Sequence, residues 1–348
     1  MTLKKIWLLI PLTFLLSGCQ ITYYMKSAWE QAKLLDKRVP IKRVLEDPNT
    51  SEEVKAKLRL AQQAREFAEK KLNLKPTKNY TSYADIKRPY VSWIVRAAPV
   101  YELKHHLWGF PLVGKLPYKG YFSKEEADEE ASLFPANEYD TYVRGVTAYS
   151  TLGWFEDPLM NTMMNYKDHD LVNLIIHETV HATLYIKSQA DFNERLATFI
   201  GNIGTEMYYL DKEGEDSPSL KTIKVEAEDD KVFSDFISRE LDTLDQWYKD
   251  NKDKITPEKK AERITEIKTR FESEALPKMK TENFAKFGRQ DLNNAKLLSF
   301  KTYVYDLTDF DRAFKHLGSD FSRFVEFCKS LEKEKDPETT LKNIVTKS

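Results

Sequence analysis

The run His177-Glu178-Thr179-Val180-His181 puts three chemistry-bearing side chains within five residues. On a helix, residues four apart share a face, so the imidazoles of His177 and His181 can bind a single ion. Glu178 falls on the neighbouring flank, placed to polarise a water at that ion rather than to ligate it. Zinc that acts on a substrate needs a third protein ligand and an open fourth position. Twelve residues separate His181 from Glu194, enough to finish one helix and begin another. Ala197 and Gly201 follow Glu194 at offsets of three and seven, a small-residue face that lets the second helix come close to the first. Asp191 comes too early, in the turn, and Glu206 lies twelve positions further along the same helix. The pattern points to a zinc site of His177, His181 and Glu194 with Glu178 as acid/base. The plain alternative is two core histidines and a surface glutamate.

Those residues need helices to carry them. Asp168 onward reads as helix, with LVNLIIHETVHATLYI as one apolar helix and DFNERLATFIGNIGTEMYYL as a second, opened by Asp191 or Asn193. Leu171, Leu174, Ile175, Val180 and Leu184 supply buried surface, and the stretch lacks Gly and Pro. Upstream, Ser51–Leu74 is a periodic helix opened by a capping box of Thr50 and Glu53. Residues 90–155 change character: aromatic and β-branched runs broken by Gly and Pro read as a small sheet. One charged helix, Ser123–Leu133, interrupts it, with Ser123 and Glu126 as its capping box. From Lys221 to Ala275 the chain reads as two long helices, the second capped by Thr256 ahead of Pro257. A last helical region covers about 284–346. The fold class is therefore α+β: a small antiparallel or mixed sheet, two metal-binding helices, and mostly helical N- and C-terminal flanks. The divisions are 1–18, 19–89, 90–214 for the core that carries the site, and 215–348.

The first nineteen residues, MTLKKIWLLIPLTFLLSGC, follow a separate logic. Lys4 and Lys5 precede an apolar stretch from Ile6 to Leu16, which is shorter than the roughly 20 residues of a spanning helix. Leu16-Ser17-Gly18-Cys19 resembles the bacterial lipobox, which implies removal of residues 1–18 and a lipidated Cys19. An ordinary secretory signal or an uncleaved anchor is the alternative. Gln20 and Ile21 follow the cysteine with no Asp, which in this resemblance favours the periplasmic face of the outer membrane. The only other cysteine is Cys328, at helical spacing among Phe321, Phe324, Val325, Phe327 and Leu331, so a buried small hydrophobe is expected there. With Cys19 acylated, the mature chain has no disulfide and relies on packing. The net charge of −1 and the lack of a basic block exclude a nucleic-acid partner.

Hydrolysis at such a site also needs a substrate groove and an oxyanion donor. AYSTLGWF, shortly before the zinc helix, is the expected edge strand that pairs with a peptide substrate, through Tyr149, Ser150, Thr151 and Gly153. Tyr303 is the first choice for the oxyanion donor and Tyr149 the second. Glu156 and Asp157 are the acidic residues considered for holding a substrate amine. His105, His106 and His169 read as polar surface or capping residues.

The chain also resembles the predicted aminopeptidase family of bacterial lipoproteins, within the glutamate-ligand zincins. The resemblance rests on SGC with Tyr23-Tyr24, AREFA (64–68), FPLVGKLPYKGYF (110–122), AYSTLGWFEDPL (148–159), HETVH, FNERLATFIG (192–201) and NNAKL (293–297). It implies a zincin-like core, His177, His181 and Glu194 as zinc ligands, and Glu178 as catalytic acid/base. The family pattern carries cysteines where this chain has Gly109 and Lys115, so a disulfide of the family is missing here. The expected protein is a zinc metallopeptidase anchored to the bacterial envelope by a lipidated Cys19. The rival is an envelope lipoprotein with a structural zinc that docks a partner without hydrolysis.

Overall fold

The computed structural model describes residues 10–110, 114–148, 151, 155–187, 189–252, 254–301 and 307–344; the side chains of 10–20, 190 and 301 lie outside that description. The N-terminal region forms α1 (Ile10–Asp36), β1 (Val39–Pro40), α2 (Ile41–Glu46) and α3 (Glu52–Lys70). The cap of α3 is Ser51 rather than Thr50: its hydroxyl accepts from Val54 N–H at 3.3 Å. Strands follow as β2 (Ser82–Ala84), β3 (Ser92–Pro99), β4 (Trp108–Phe110), β5 (Gly114–Leu116) and β6 (Lys119–Tyr121). Next come α4 (Lys124–Ser132), β7 (Tyr139–Val146) and β8 (Leu159–Met160). At α4 the expected cap forms: Ser123 Oγ accepts from Glu126 N–H, and its hydroxyl donates to Glu126 Oε2.

Among the described residues the strands make three small sheets instead of one. The order β6-β3-β7 is fully antiparallel, β4 and β5 form a hairpin, and β1-β2-β8 is mixed, with β2 parallel to β8. In the hairpin, Gly109 stands directly opposite Lys115. The strand expected over 148–155 is corrected where it can be seen: β7 ends at Val146, and Thr147, Ala148 and Thr151 are not in a strand. Tyr149, Ser150 and Gly153 lie outside the described residues.

The site helices are α5 (Asp168–Thr183) and α6 (Ala190–Glu213), followed by α7 (Pro218–Asn251) and α8 (Pro257–Arg270). The C-terminal part is α9 (Asn294–Lys301), α10 (Thr308–His316), α11 (Phe321–Ser330) and α12 (Pro337–Asn343). Asp168 and Asp170 lie in the first turn of α5, where carboxylates complement the helix dipole. Thr256 caps α8 as expected, with Pro257 at its first position. Among the described residues, no helix is long and apolar enough to cross a membrane.

The buried clusters cut across the divisions drawn from sequence. The largest joins Leu58, Ala61 and Ala64 of α3 to Ile175 and Ile176 of α5, Leu196 and Ile200 of α6, and Phe310, Phe324 and Leu341 near the C-terminus. A second is built from Phe233, Ile237 and Leu244 of α7 with Ile267, Phe271, Phe287 and Leu297. Residues 215–348 thus split: α10–α12 share the core of the site helices, while α7–α9 hold their own. Cys328 is fully buried and its thiol is pushed up by burial, as its spacing indicated.

Candidate metal centre

Two consecutive helices bring the three expected ligands together. His177 and His181 sit one turn apart on α5, their rings edge-to-face with centroids 4.8 Å apart. Their Nε2 atoms are 3.2 Å from each other. Glu194, in the second turn of α6, places Oε2 3.5 Å from His177 Nε2 and Oε1 3.4 Å from His181 Nε2. Ligands held at about 2.0–2.1 Å around a tetrahedral ion stand roughly 3.3 Å from one another, so all three separations match a single-ion set. The His181 side chain is 3% exposed, His177 17% and Glu194 43%, so the cluster is sealed at its base and open beside Glu194.

The close approach of α6 has the cause expected for it. Ala197 is fully buried. A Cβ on Gly201 would lie 3.2 Å from Asn173 Oδ1 and 3.4 Å from His177 Cβ. Gly204, which sequence reasoning missed, is tighter: a Cβ there would meet Leu72 Cδ1 at 2.8 Å and Ile176 Cγ2 at 3.0 Å. It extends the offsets of three and seven from Glu194 to ten, so the signal was present in the same periodicity.

The turn between the helices is held by Asn193. Helix α5 stops at Thr183, three residues short of the expected Ile186, and Leu184 turns extended. The buried Asn193 amide then accepts from Ile186 N–H and donates to Ile186 C=O, both at 2.8 Å. Asn193 does not open α6 as a cap; it ties the incoming chain to the residue before Glu194. Among the described residues, no side chain caps that helix.

Burial alone would raise the Glu194 carboxyl, but hydrogen bonds and charge from the two imidazoles overcome this and hold it down at about 2. Burial lowers His181, and Glu194 with a smaller contribution from Glu178 more than reverses that, so it is raised. His181 Nδ1 is buried and meets no hydrogen-bond partner among the described residues. Glu178 Oε2 is also buried. Its charge adds to the burial that pushes the phenol of Tyr80 well above its ordinary value. Tyr80, 2% exposed and at a left-handed φ of 59°, was not singled out from sequence. Neither was Tyr185, whose ring stands edge-on to His181 at 6.2 Å.

Other expected residues fall elsewhere. Thr151 gives its N–H and hydroxyl to the Asp157 carboxylate, at 2.9 and 2.8 Å. The same contacts commit Asp157, which is 4% exposed, and Glu156 pairs with Lys78 at 3.1 Å. Tyr303 lies outside the described residues, as does Tyr149. His106 is not polar surface: its ring packs against Trp108 and Phe134, and burial lowers it. His169 Nε2 is 2.8 Å from Glu226 Oε2, and Lys167 donates to the other Glu226 oxygen at 2.6 Å. With Asp170 nearby this is a second donor cluster, but the lysine ammonium already fills the cation's place.

Fold and site define the class: a helix-rich α+β protein with two imidazoles and a carboxylate converging from consecutive helices. The chain belongs to the peptidase family described as "Putative aminopeptidase", whose model matches residues 22–342. No match to the chain was found among curated proteins or among solved structures.

Proposed function

We propose that the protein is a zinc-dependent peptidase of the zincin type, held at the bacterial envelope by a lipidated Cys19. The observation that carries the reading is the set of separations between His177, His181 and Glu194, 3.2 to 3.5 Å, which suits the donors of one tetrahedral ion. His177, His181 and Glu194 would hold zinc, which supplies a Lewis acid for water and for the substrate carbonyl. Glu178, beside the ligands and partly buried, accepts the proton of the attacking water and delivers it to the leaving amine. Glu194 is already ionised over the working pH range, so it needs no deprotonation to ligate. Its exposure leaves one side of the cluster open, which suits a catalytic site better than a closed structural one. Aminopeptidase specificity follows the family's description.

Metal analysis and peptide-library cleavage on wild type and Glu178→Gln test this together. Expected are about one zinc per chain in both proteins and a loss of about 10²- to 10⁴-fold in cleavage for the variant. Zinc with equal cleavage removes Glu178 from the mechanism, and absence of metal removes the site. Zinc without cleavage in either protein favours the partner-docking lipoprotein.

A further inference from the structure

The two faces of α1 differ sharply from Ile21 onward. On the packed face, the Tyr23 hydroxyl donates to Gly120 C=O at 2.8 Å, and its ring stands edge-on to Tyr121 at 5.6 Å. The Lys119 ammonium lies 5.0 Å from the centre of that ring, Lys26 pairs with Glu126, and Leu34 enters the main core. On the other face Ile21, Met25 and Trp29 are 52%, 69% and 65% exposed, and Ala28 and Ala32 are exposed between and beyond them. These positions recur at helical spacing, forming one apolar stripe about 16 Å long.

We propose that this stripe lies in the lipid surface, so that α1 rests flat on the membrane as a second contact beside Cys19. The proposal rests on the reading of Cys19 as the lipidated residue. Ile21 is two residues from that cysteine, so an acyl anchor there leaves the start of the stripe within about 3 Å of rise along the helix. Trp29 brings the amphipathic ring that settles at the headgroup level. Lys26 and Lys33, both about half-exposed and paired with Glu126 and Glu30, run beside the stripe, where their stems can lie along apolar surface. A second copy of the chain is the weaker occupant: five side chains, two of them alanine, fall short of the roughly 20–30 residues a side of a stable protein pair. Because Tyr23 and Lys26 fix α1 to β6 and α4, seating the stripe sets the orientation of the molecule on the membrane.

The test uses the full-length protein expressed in a bacterium, purified in its processed form and reconstituted into phosphatidylethanolamine–phosphatidylglycerol vesicles, with and without lipids brominated along the acyl chain. Subtracting Trp29→Phe emission from wild type isolates Trp29, an exposed residue whose replacement leaves the packing intact. Expected is a blue-shifted Trp29 signal that brominated lipid quenches at least twofold. Water-like, unquenched Trp29 in protein that floats with the vesicles overturns the proposal while leaving the lipid anchor standing. A blue shift that brominated lipid leaves untouched and that grows with protein density marks a second copy and also overturns it. A mass lacking acyl chains on Cys19 overturns the anchor reading itself.

Discussion

The convergence of His177, His181 and Glu194 depends on the turn that joins their helices, and Asn193 ties that turn down. It is 1% exposed, and both ends of its amide are bound to the Ile186 backbone. Asn193→Ala leaves a buried N–H and a buried C=O without their partner, each costing roughly 1–3 kcal/mol. We expect the variant to lower the unfolding free energy by about 2–4 kcal/mol and to weaken zinc binding by about tenfold or more, read by denaturation and competitive chelation. Asn193→Asp keeps the acceptor and loses the donor, so it should fall between the two. Equal zinc affinity in all three proteins would show that Glu194 is positioned without the clamp. The convergence of His177, His181 and Glu194 was legible because helical period and small-residue offsets are local signals. Asn193 was read only as a possible cap, since nothing local says that its amide reaches back across a turn. Tyr80 was invisible for a similar reason: its burial near Glu178 depends on tertiary packing.

At the level of elements, types were easier to read than ends. Pro257, Ser123 and the acidic first turn of α5 are local chemistry, and those helices start where that chemistry places them. Helix α5 stops early because Asn193 captures the Ile186 backbone, a long-range competitor that apolar periodicity cannot register. The sheet was harder: short strands in three sheets come from one run of β-rich sequence, and strand partners are not encoded in alternation. The β4–β5 hairpin offers a sharp check on the family pattern. Gly109 and Lys115, the positions at which the resemblance implies cysteines, face each other across the ladder, and a Cβ on Gly109 meets nothing within 4 Å. Opposed residues of an antiparallel pair have Cα atoms about 4.5–5.5 Å apart, within disulfide range. The double variant Gly109→Cys, Lys115→Cys should therefore oxidise spontaneously, lose two hydrogens by mass, and gain up to about 2 kcal/mol from the short loop it closes. Persistent free thiols under oxidant would contradict the register.

For the whole molecule, the main core and the α7–α9 core are separate clusters, and α9 is joined to the sheet by apolar contacts of Ala295 and Leu298 with Ala98 and by a set of buried polar bonds. Periodicity revealed the long helices but not their partners, and left α9–α12 as one helical region, which is why the divisions at 89/90 and 214/215 cross the main core. Asn294 is the clearest polar joint between α7–α9 and the β3–β7 pair. Fully buried, it accepts from Tyr248 of α7 at 2.8 Å and donates through Nδ2 to Pro99 C=O at 2.9 Å and Val100 C=O at 3.1 Å. Its own N–H donates to Asp140 of β7 at 2.7 Å, and Asp140 also pairs with Lys260 of α8 at 2.6 Å. NNAKL thus has a physical role of its own: it ties α7–α9 to the ends of β3 and β7. Asn294→Ala removes the side-chain partner of a buried tyrosine hydroxyl and two carbonyls, a loss of about 2–4 kcal/mol. Because α7–α9 have their own core, we expect that loss to be local. Amide exchange should accelerate by roughly 30-fold or more across α7–α9, the low end of that free-energy range, while amides of α5 and α6 and the zinc content stay unchanged. A uniform acceleration through both halves would instead mean that the two cores unfold as a single cooperative unit, with the polar joint as strong as the packing on either side.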